Sequence, residues 1–132
     1  MNYRIKASSD YNIDGKIHIK QSHIVFGTTG KTAKTLPNPA EIFLGSLASC
    51  ILKNVERFSL LMKFQYNYTT LEIRAKRLDN PPRMDSINYH LNIFSEDTNL
   101  NVDLLKKNIE KHGTIYNTLK QVCTINGNIT RI

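Results

Sequence analysis

Cysteine is scarce in this sequence. The two residues present, Cys50 and Cys123, form neither a CxxC pair nor a metal-ligand spacing with the four histidines. This pattern excludes a disulfide-rich scaffold and a zinc-finger-type site. We therefore expect two reduced thiols, no bound metal and no cofactor.

Long apolar runs are also missing. No stretch approaches the roughly 18 uncharged apolar residues of a membrane span, and residues 1–6 lead into no apolar signal-peptide region. Tryptophan is absent. We expect a cytoplasmic protein without a membrane partner.

Charge is plentiful but scattered. The formal net charge is +7 and the isoelectric point is near 9.5, which permits binding of anionic partners. The lysines fall in a loop around residues 31–34 and on a helix face around residues 106–111, without an aromatic stacking motif. We expect a solvated surface and no nucleic-acid partner, while anionic substrates or ligands remain compatible with the charge.

The segment from Asn38 to Leu52 is apolar or small on nearly every side and carries Cys50. Asn38 suits a helix cap and Pro39 a first helical turn. Apolar residues then recur at helical spacing to about Lys63, which predicts a buried helix with Cys50 in the core. At about 37 Å, such a helix exceeds what one small sheet covers, so a homodimer is expected.

Strand patterns flank this helix on both sides. At 132 residues the chain has the size of one domain, residues 1–132, and the order of its elements predicts an α+β fold. A short helix after Thr114, with Thr114 as its cap and Val122 buried, precedes the last strand. The predicted strands are 2–9, 16–20, 23–26, 68–78, 86–94 and 123–132, and the predicted helices are 39–63, 101–111 and 114–122.

This element order, together with the motif from Asn38 to Leu44 and the Ser49-Cys50 pair, resembles the OsmC/Ohr family over nearly the whole chain. The resemblance implies antiparallel sheets around a long cysteine-bearing helix and an intertwined homodimer. In the best-understood members one cysteine attacks an organic hydroperoxide and a second resolves the sulfenic acid as a disulfide. Cys50 matches the attacking cysteine.

Two positions depart from the peroxidase pattern of that family. The segment Gly113–Leu119 aligns with the second landmark, but Gly113 stands where the resolving cysteine would be. Cys123 lies ten residues further on, too far to replace it if the segment is helical. The glutamate, Glu41, comes one residue later than in those members, which looks more like the broader OsmC-like branch.

A reactive thiol needs a neighbouring cation or base. His112 is the nearest local candidate if the Gly113 turn packs beside Cys50, with Tyr116 as a hydrogen-bond donor. The predicted catalytic residues are therefore Cys50, Glu41 and His112. Each has a structural alternative: Cys50 as a small core residue, and Glu41 as a first-turn acid that complements the helix dipole.

Three functions stay open on the sequence. One is a stress-response thiol peroxidase that reduces organic hydroperoxides through Cys50, with an external thiol reductant resolving the sulfenic acid. Another is a non-catalytic binding protein that holds a thiol-containing or acyl ligand at the dimer interface. The third is a stable dimer with a degenerate site. A pocket that retains Cys50 without His112 or an arginine nearby would favour the binding protein.

Overall fold

A computed structural model describes residues 1–132 of the protein and has the α+β architecture that the sequence predicts. The chain divides into two compact units, Met1–Phe43 and Leu44–Ile132. The elements in chain order are β1 Lys6–Ser9, β2 Gly15–Ile19, β3 Ser22–Phe26, a 3₁₀ turn Gly30–Thr32, α1 Pro39–Leu61, β4 Tyr68–Asp79, β5 Pro82–Phe94, α2 Val102–His112, α3 Thr114–Leu119 and β6 Thr124–Arg131.

The first unit carries an antiparallel meander of order β1-β2-β3, as predicted. Its first strand is shorter than the predicted 2–9, because the pairing with the five-residue β2 extends back only to Lys6 opposite His18. Tyr3 and Ile5 have no strand opposite them and are exposed. Gly15 is the one buried residue of this unit, so the meander has almost no core within a single chain.

The loop of residues 27–36 is held by Asp14. Its Oδ1 accepts hydrogen bonds from the Thr32 hydroxyl at 2.7 Å and from the Thr28 backbone N–H at 3.1 Å. These donors favour the ionised carboxylate, and the Thr32 bond contributes most to a lowered pKa of Asp14. The loop that leads towards α1 is therefore fixed by a carboxylate that stays charged at neutral pH.

Helix α1 begins with a reciprocal capping box. The Asn38 side chain accepts from the Glu41 N–H at 2.9 Å, and the Glu41 carboxylate accepts from the Asn38 N–H at 3.0 Å. The helix ends at Leu61, two residues before the predicted Lys63, whose φ of 58° is left-handed and stops helical propagation. Within one chain only one face of α1 is buried, whereas Leu60 and Leu61 are exposed.

The second unit carries a sheet of order β4-β5-β6. β4 and β5 form the predicted antiparallel hairpin. The expectation of wholly antiparallel sheets is wrong for β6, which pairs parallel to β5 from Ser86 opposite Thr124 to Ile93 opposite Arg131. The reason is the connection between these strands: it contains α2 and α3 and crosses over, which a parallel pair requires.

Helices α2 and α3 meet at Gly113. Asn101 caps α2 by accepting from the Leu104 N–H, as a start near residue 101 predicts. The prediction of Thr114 as the cap of α3 is wrong, because the Gly113 carbonyl accepts the first bond of that helix from Asn117 and Thr114 is already helical. Val122, predicted to be buried, is exposed.

The core of the second unit consists of apolar side chains on α1, β5, α2 and α3. These are Leu47, Ile51, Val55, Phe58, Ile87, Leu91, Ile93, Leu105, Ile109 and Leu119. None of the helices combines the length and the apolarity that a membrane crossing requires.

Candidate functional site

Cys50 lies midway along α1 as a free, half-buried thiol. Its neighbours in sequence and one turn away, Ile51 and Leu47, are fully buried. The helix therefore places the thiol at the border of the core rather than inside it. Cys50 is therefore partly exposed, while the surrounding core fixes the backbone that carries it.

Gly113, at the α2–α3 turn, faces the Cys50 sulfur. A Cβ built at Gly113 would lie 3.0 Å from Cys50 Sγ and 2.9 Å from the Ile109 carbonyl oxygen. The backbone there has φ −73° and ψ 117°, a conformation open to any residue. Glycine is thus required by space and not by conformation, because even a methyl group there would crowd the Cys50 sulfur and the Ile109 carbonyl.

Asn54, one turn after Cys50, provides the hydrogen bonds of the site. Its Nδ2 donates to the Cys50 carbonyl oxygen at 2.9 Å and lies 3.8 Å from Cys50 Sγ. The side chain is only 8% exposed. Burying an amide without a partner would cost about 1–3 kcal/mol, and the two bonds offset that cost.

His112 is in the neighbouring turn, as predicted, but its imidazole does not bond to the thiol. The ring packs against Phe58 with centroids 5.5 Å apart, and the guanidinium of Arg57 lies over the same Phe58 ring at 5.3 Å. No hydrogen bond joins the imidazole to the Cys50 sulfur, so its contact is with the aromatic ring and not with the thiol.

Tyr116 interacts with the carboxylate of Glu110 and not with the Cys50 thiol. Its pKa is raised by burial and by the nearby carboxylate of Glu110. Glu110 further accepts from the Tyr89 hydroxyl at 2.8 Å and pairs with Lys106 at 3.1 Å. This cluster ties the last turn of α2 to β5 and α3, and so fixes the turn that carries Gly113.

The remaining candidate residues, Glu41 and Cys123, make contacts within the fold and not with the Cys50 thiol. The Glu41 carboxylate is engaged in the capping box with Asn38. Cys123 is buried beside the Met84 carbonyl oxygen, and burial raises the pKa of its thiol. No group of three or more His, Cys, Asp or Glu side chains in the chain is arranged to hold a metal ion.

A shallow depression of about 380 Å³ lies on the polar face of the second sheet. Its lining includes Glu72, Arg74, His90 and Asn128 but not Cys50. His90 bonds to Asn128 and to Asn92, so these side chains largely satisfy one another. The depression is separate from the thiol site.

Comparison with known proteins decides the family. Residues 30–127 match the family described as OsmC-like protein, a range that includes Cys50 and Gly113. The chain belongs to the OsmC-like protein family. No curated protein sequence matches the chain.

Solved structures of this family share the fold. An OsmC-like protein from Mycoplasma pneumoniae is 20% identical with a TM-score of 0.87, covering 100% of this chain and 98% of that one. An organic hydroperoxide resistance protein from Elizabethkingia anophelis is 12% identical with a TM-score of 0.73, covering 100% and 99%. The organic hydroperoxide resistance protein OsmC from Legionella pneumophila is 12% identical with a TM-score of 0.71, covering 98% and 97%.

Asn54 is the site residue to which sequence analysis assigned no role. In the sequence it follows Cys50 by four residues within an apolar stripe, where a polar residue of low helix propensity is unexpected. Residues four apart share a helix face. A polar residue at that spacing from the candidate nucleophile was the signal that could have identified it.

Proposed function

We propose that this protein acts in a stress response by reducing organic hydroperoxides through Cys50, with an external thiol completing the cycle. The observation that carries the proposal is a free, half-buried thiol that lies beside the Gly113 turn. Hydroperoxide resistance proteins with this fold, from Legionella pneumophila and Elizabethkingia anophelis, support the substrate class. The catalytic roles of Glu41 and His112 stay predictions.

The reaction divides into two thiol-dependent stages. In the first, the Cys50 thiolate attacks the terminal oxygen of a hydroperoxide, the O–O bond breaks, and the alkoxide takes a proton and leaves as the alcohol. In the second, an external thiol attacks the Cys50 sulfenic acid, releasing water and forming a mixed disulfide. A further external thiol then displaces Cys50 as thiolate, so one hydroperoxide and two thiols give an alcohol, a disulfide and water.

This reaction is tested by measuring oxidation of Cys50 in the Cys123→Ser background, which leaves one thiol. We expect cumene hydroperoxide to add one oxygen to the intact mass at least about 100-fold faster than it oxidises free cysteine, because the site positions and polarises the thiol. Oxidation by hydrogen peroxide should be slower, and added dithiothreitol should restore the original mass. The Cys50→Ser variant is the matched control.

Oxidation no faster than that of free cysteine would contradict peroxidase activity. It would favour the second candidate, a binding protein for a thiol-containing or acyl small molecule at the dimer interface. One observation favours this candidate: neither His112 nor an arginine hydrogen bonds the Cys50 sulfur. A slow site that still forms a stable mixed disulfide with glutathione would identify the binding function.

We further propose that the protein is a homodimer in the cytoplasm, where its thiols would stay reduced. The support is the exposed apolar surface of a single chain: Tyr3, Ile5, Tyr11 and Ile13 in the first unit. A three-stranded meander without a core is marginal by itself, so a second copy of the chain is the partner that would cover it.

The homodimer predicts a specific mass in solution. Sedimentation equilibrium of the purified protein at micromolar concentration should give twice the 15.1 kDa of one chain. An Ile13→Asp variant should shift the mass towards one chain, since it places a charge on the exposed apolar surface. A wild-type mass of a single chain would contradict the dimer.

A further inference from the structure

The amide of Asn54 contacts the sulfur that the proposed reaction oxidises. Among the hydrogen bonds of the chain, the one that reaches Cys50 Sγ comes from Asn54 Nδ2, at 3.8 Å. The same nitrogen donates to the Cys50 carbonyl oxygen at 2.9 Å. A side-chain amide carries two protons on that nitrogen, so it can serve both acceptors at once.

The backbone bond does not by itself explain an asparagine at this position. The Cys50 carbonyl already accepts from the backbone N–H of residue 54, as each carbonyl does within a helix. Asn54 stands on the buried face of α1 between Ile51 and Phe58, where a leucine would extend the apolar face and favour the helix more. The sulfur contact is what an asparagine adds.

Charged groups around the site do not take this role. On α1, Lys53 is exposed and Arg57 lies over the Phe58 ring. From the α2–α3 turn, His112 packs against Phe58, and Tyr116 interacts electrostatically with the Glu110 carboxylate. The one polar donor that bonds the sulfur is therefore neutral.

We infer that Asn54 is a catalytic residue that donates a hydrogen bond to the Cys50 sulfur and stabilises that sulfur as it attacks the peroxide oxygen. The inference rests on the proposed function, since it concerns the same thiol. A donor to sulfur stabilises negative charge, and it would do so both in the attacking thiolate and in the transition state, where the sulfur meets the peroxide oxygen.

The test uses alkylation by iodoacetamide, which reports the thiolate without any peroxide. In the Cys123→Ser background, Asn54→Leu keeps the branching and the number of heavy atoms of the side chain but removes the donor. We expect its alkylation rate at pH 7 to fall about tenfold or more, because the hydrogen bond to the reacting sulfur is lost. Circular dichroism and thermal unfolding establish that the variant is folded.

A second variant keeps the test decisive if Asn54→Leu does not fold. Threonine has one hydroxyl proton, which in a helix bonds the carbonyl four residues earlier. Asn54→Thr should therefore retain the bond to the Cys50 carbonyl, lose the bond to Sγ and show the same slow alkylation. Wild-type rates in a folded Asn54 variant would overturn the inference.

The chain offers a matched control for the loss of an amide near sulfur. Asn108 Nδ2 lies 3.5 Å from Met62 Sδ, a thioether that cannot ionise. Asn108→Leu should leave alkylation of Cys50 unchanged.

The experiments distinguish failure of the peroxidase proposal from failure of the Asn54 inference. A protein whose rapid alkylation depends on Asn54 but which does not react with cumene hydroperoxide would overturn the peroxidase proposal alone. A protein that reacts rapidly with cumene hydroperoxide but whose alkylation does not depend on Asn54 would overturn the role of Asn54 alone.

Discussion

Gly113→Cys is expected to yield a protein in which organic hydroperoxide closes a disulfide between the introduced thiol and Cys50. A Cβ at position 113 would lie 3.0 Å from Cys50 Sγ. In a disulfide the Cβ of one residue lies about 3 Å from the sulfur of the other, because the S–S bond is about 2.0 Å long. The present backbone therefore already meets this distance, and the Cβ needs a small shift away from the Ile109 carbonyl oxygen.

Two measurements detect the disulfide in the Gly113→Cys variant. The intact mass should fall by two hydrogens after one equivalent of cumene hydroperoxide, with no lasting sulfenic acid. The oxidised variant should be stabilised by about 4 kcal/mol over its reduced form in urea unfolding, because the bond closes a loop of about 60 residues. External thiol should then be needed only to reduce the finished disulfide.

Thr114→Cys is the control for this experiment. Its side chain is exposed and lies one residue further along α3, so it should form no bond with Cys50. If Gly113→Cys stays a dithiol under the same oxidant, the conclusion that position 113 faces the sulfur at bonding distance would be wrong.

The second large effect is expected at Gly127 on β6. A Cβ there would lie 2.0 Å from two carbons of the Tyr89 ring. The ring is 3% exposed and its hydroxyl donates to Glu110 at 2.8 Å, so it cannot retreat without losing that bond. We expect Gly127→Ala to lower the free energy of unfolding by about 3 kcal/mol, from overpacking together with a weakened hydrogen bond.

Urea unfolding of a double-mutant cycle separates the clash from other effects. Tyr89→Leu removes the ring carbons, so Gly127→Ala in that background should cost much less than in wild type. Gly30→Ala is the matched control, because a Cβ there meets nothing within 4 Å, and its effect should stay within about 0.5 kcal/mol. Equal costs in both Tyr89 backgrounds would refute a clash with the ring.

Local patterns predicted most of the secondary structure because the forces that set it are local. Alternation in Ile87, Leu91 and Ile93 marks a strand, and Asn38 with Pro39 marks a helix start. The direction of β6 was missed because it depends on how the α2–α3 connection crosses the sheet, a property of the whole unit. The early end of α1 was missed because the left-handed turn at Lys63 has no glycine to indicate it.

The candidate site, like the fold, was predictable from the sequence only in part. Cys50 and the Gly113 turn were identifiable, because helical spacing and a motif fix them, and the structure brings the two together. The partner of the sulfur was missed because a reactive thiol was expected to need a cation or a base, whereas the donor is a neutral amide four residues along the same helix. His112 was chosen by proximity in sequence, whereas Asn54 makes the contact.

The absence of a thiol at position 113 also determines how long an oxidised Cys50 would persist. Within one chain no second thiol is available to Cys50, since Cys123 is buried beside the Met84 carbonyl. An oxidised Cys50 therefore cannot be consumed by an internal reaction at a fixed rate. Its lifetime varies inversely with the concentration of thiols in the surroundings, so in the proposed function the fraction of oxidised protein would follow the ratio of hydroperoxide to reductant in the cell.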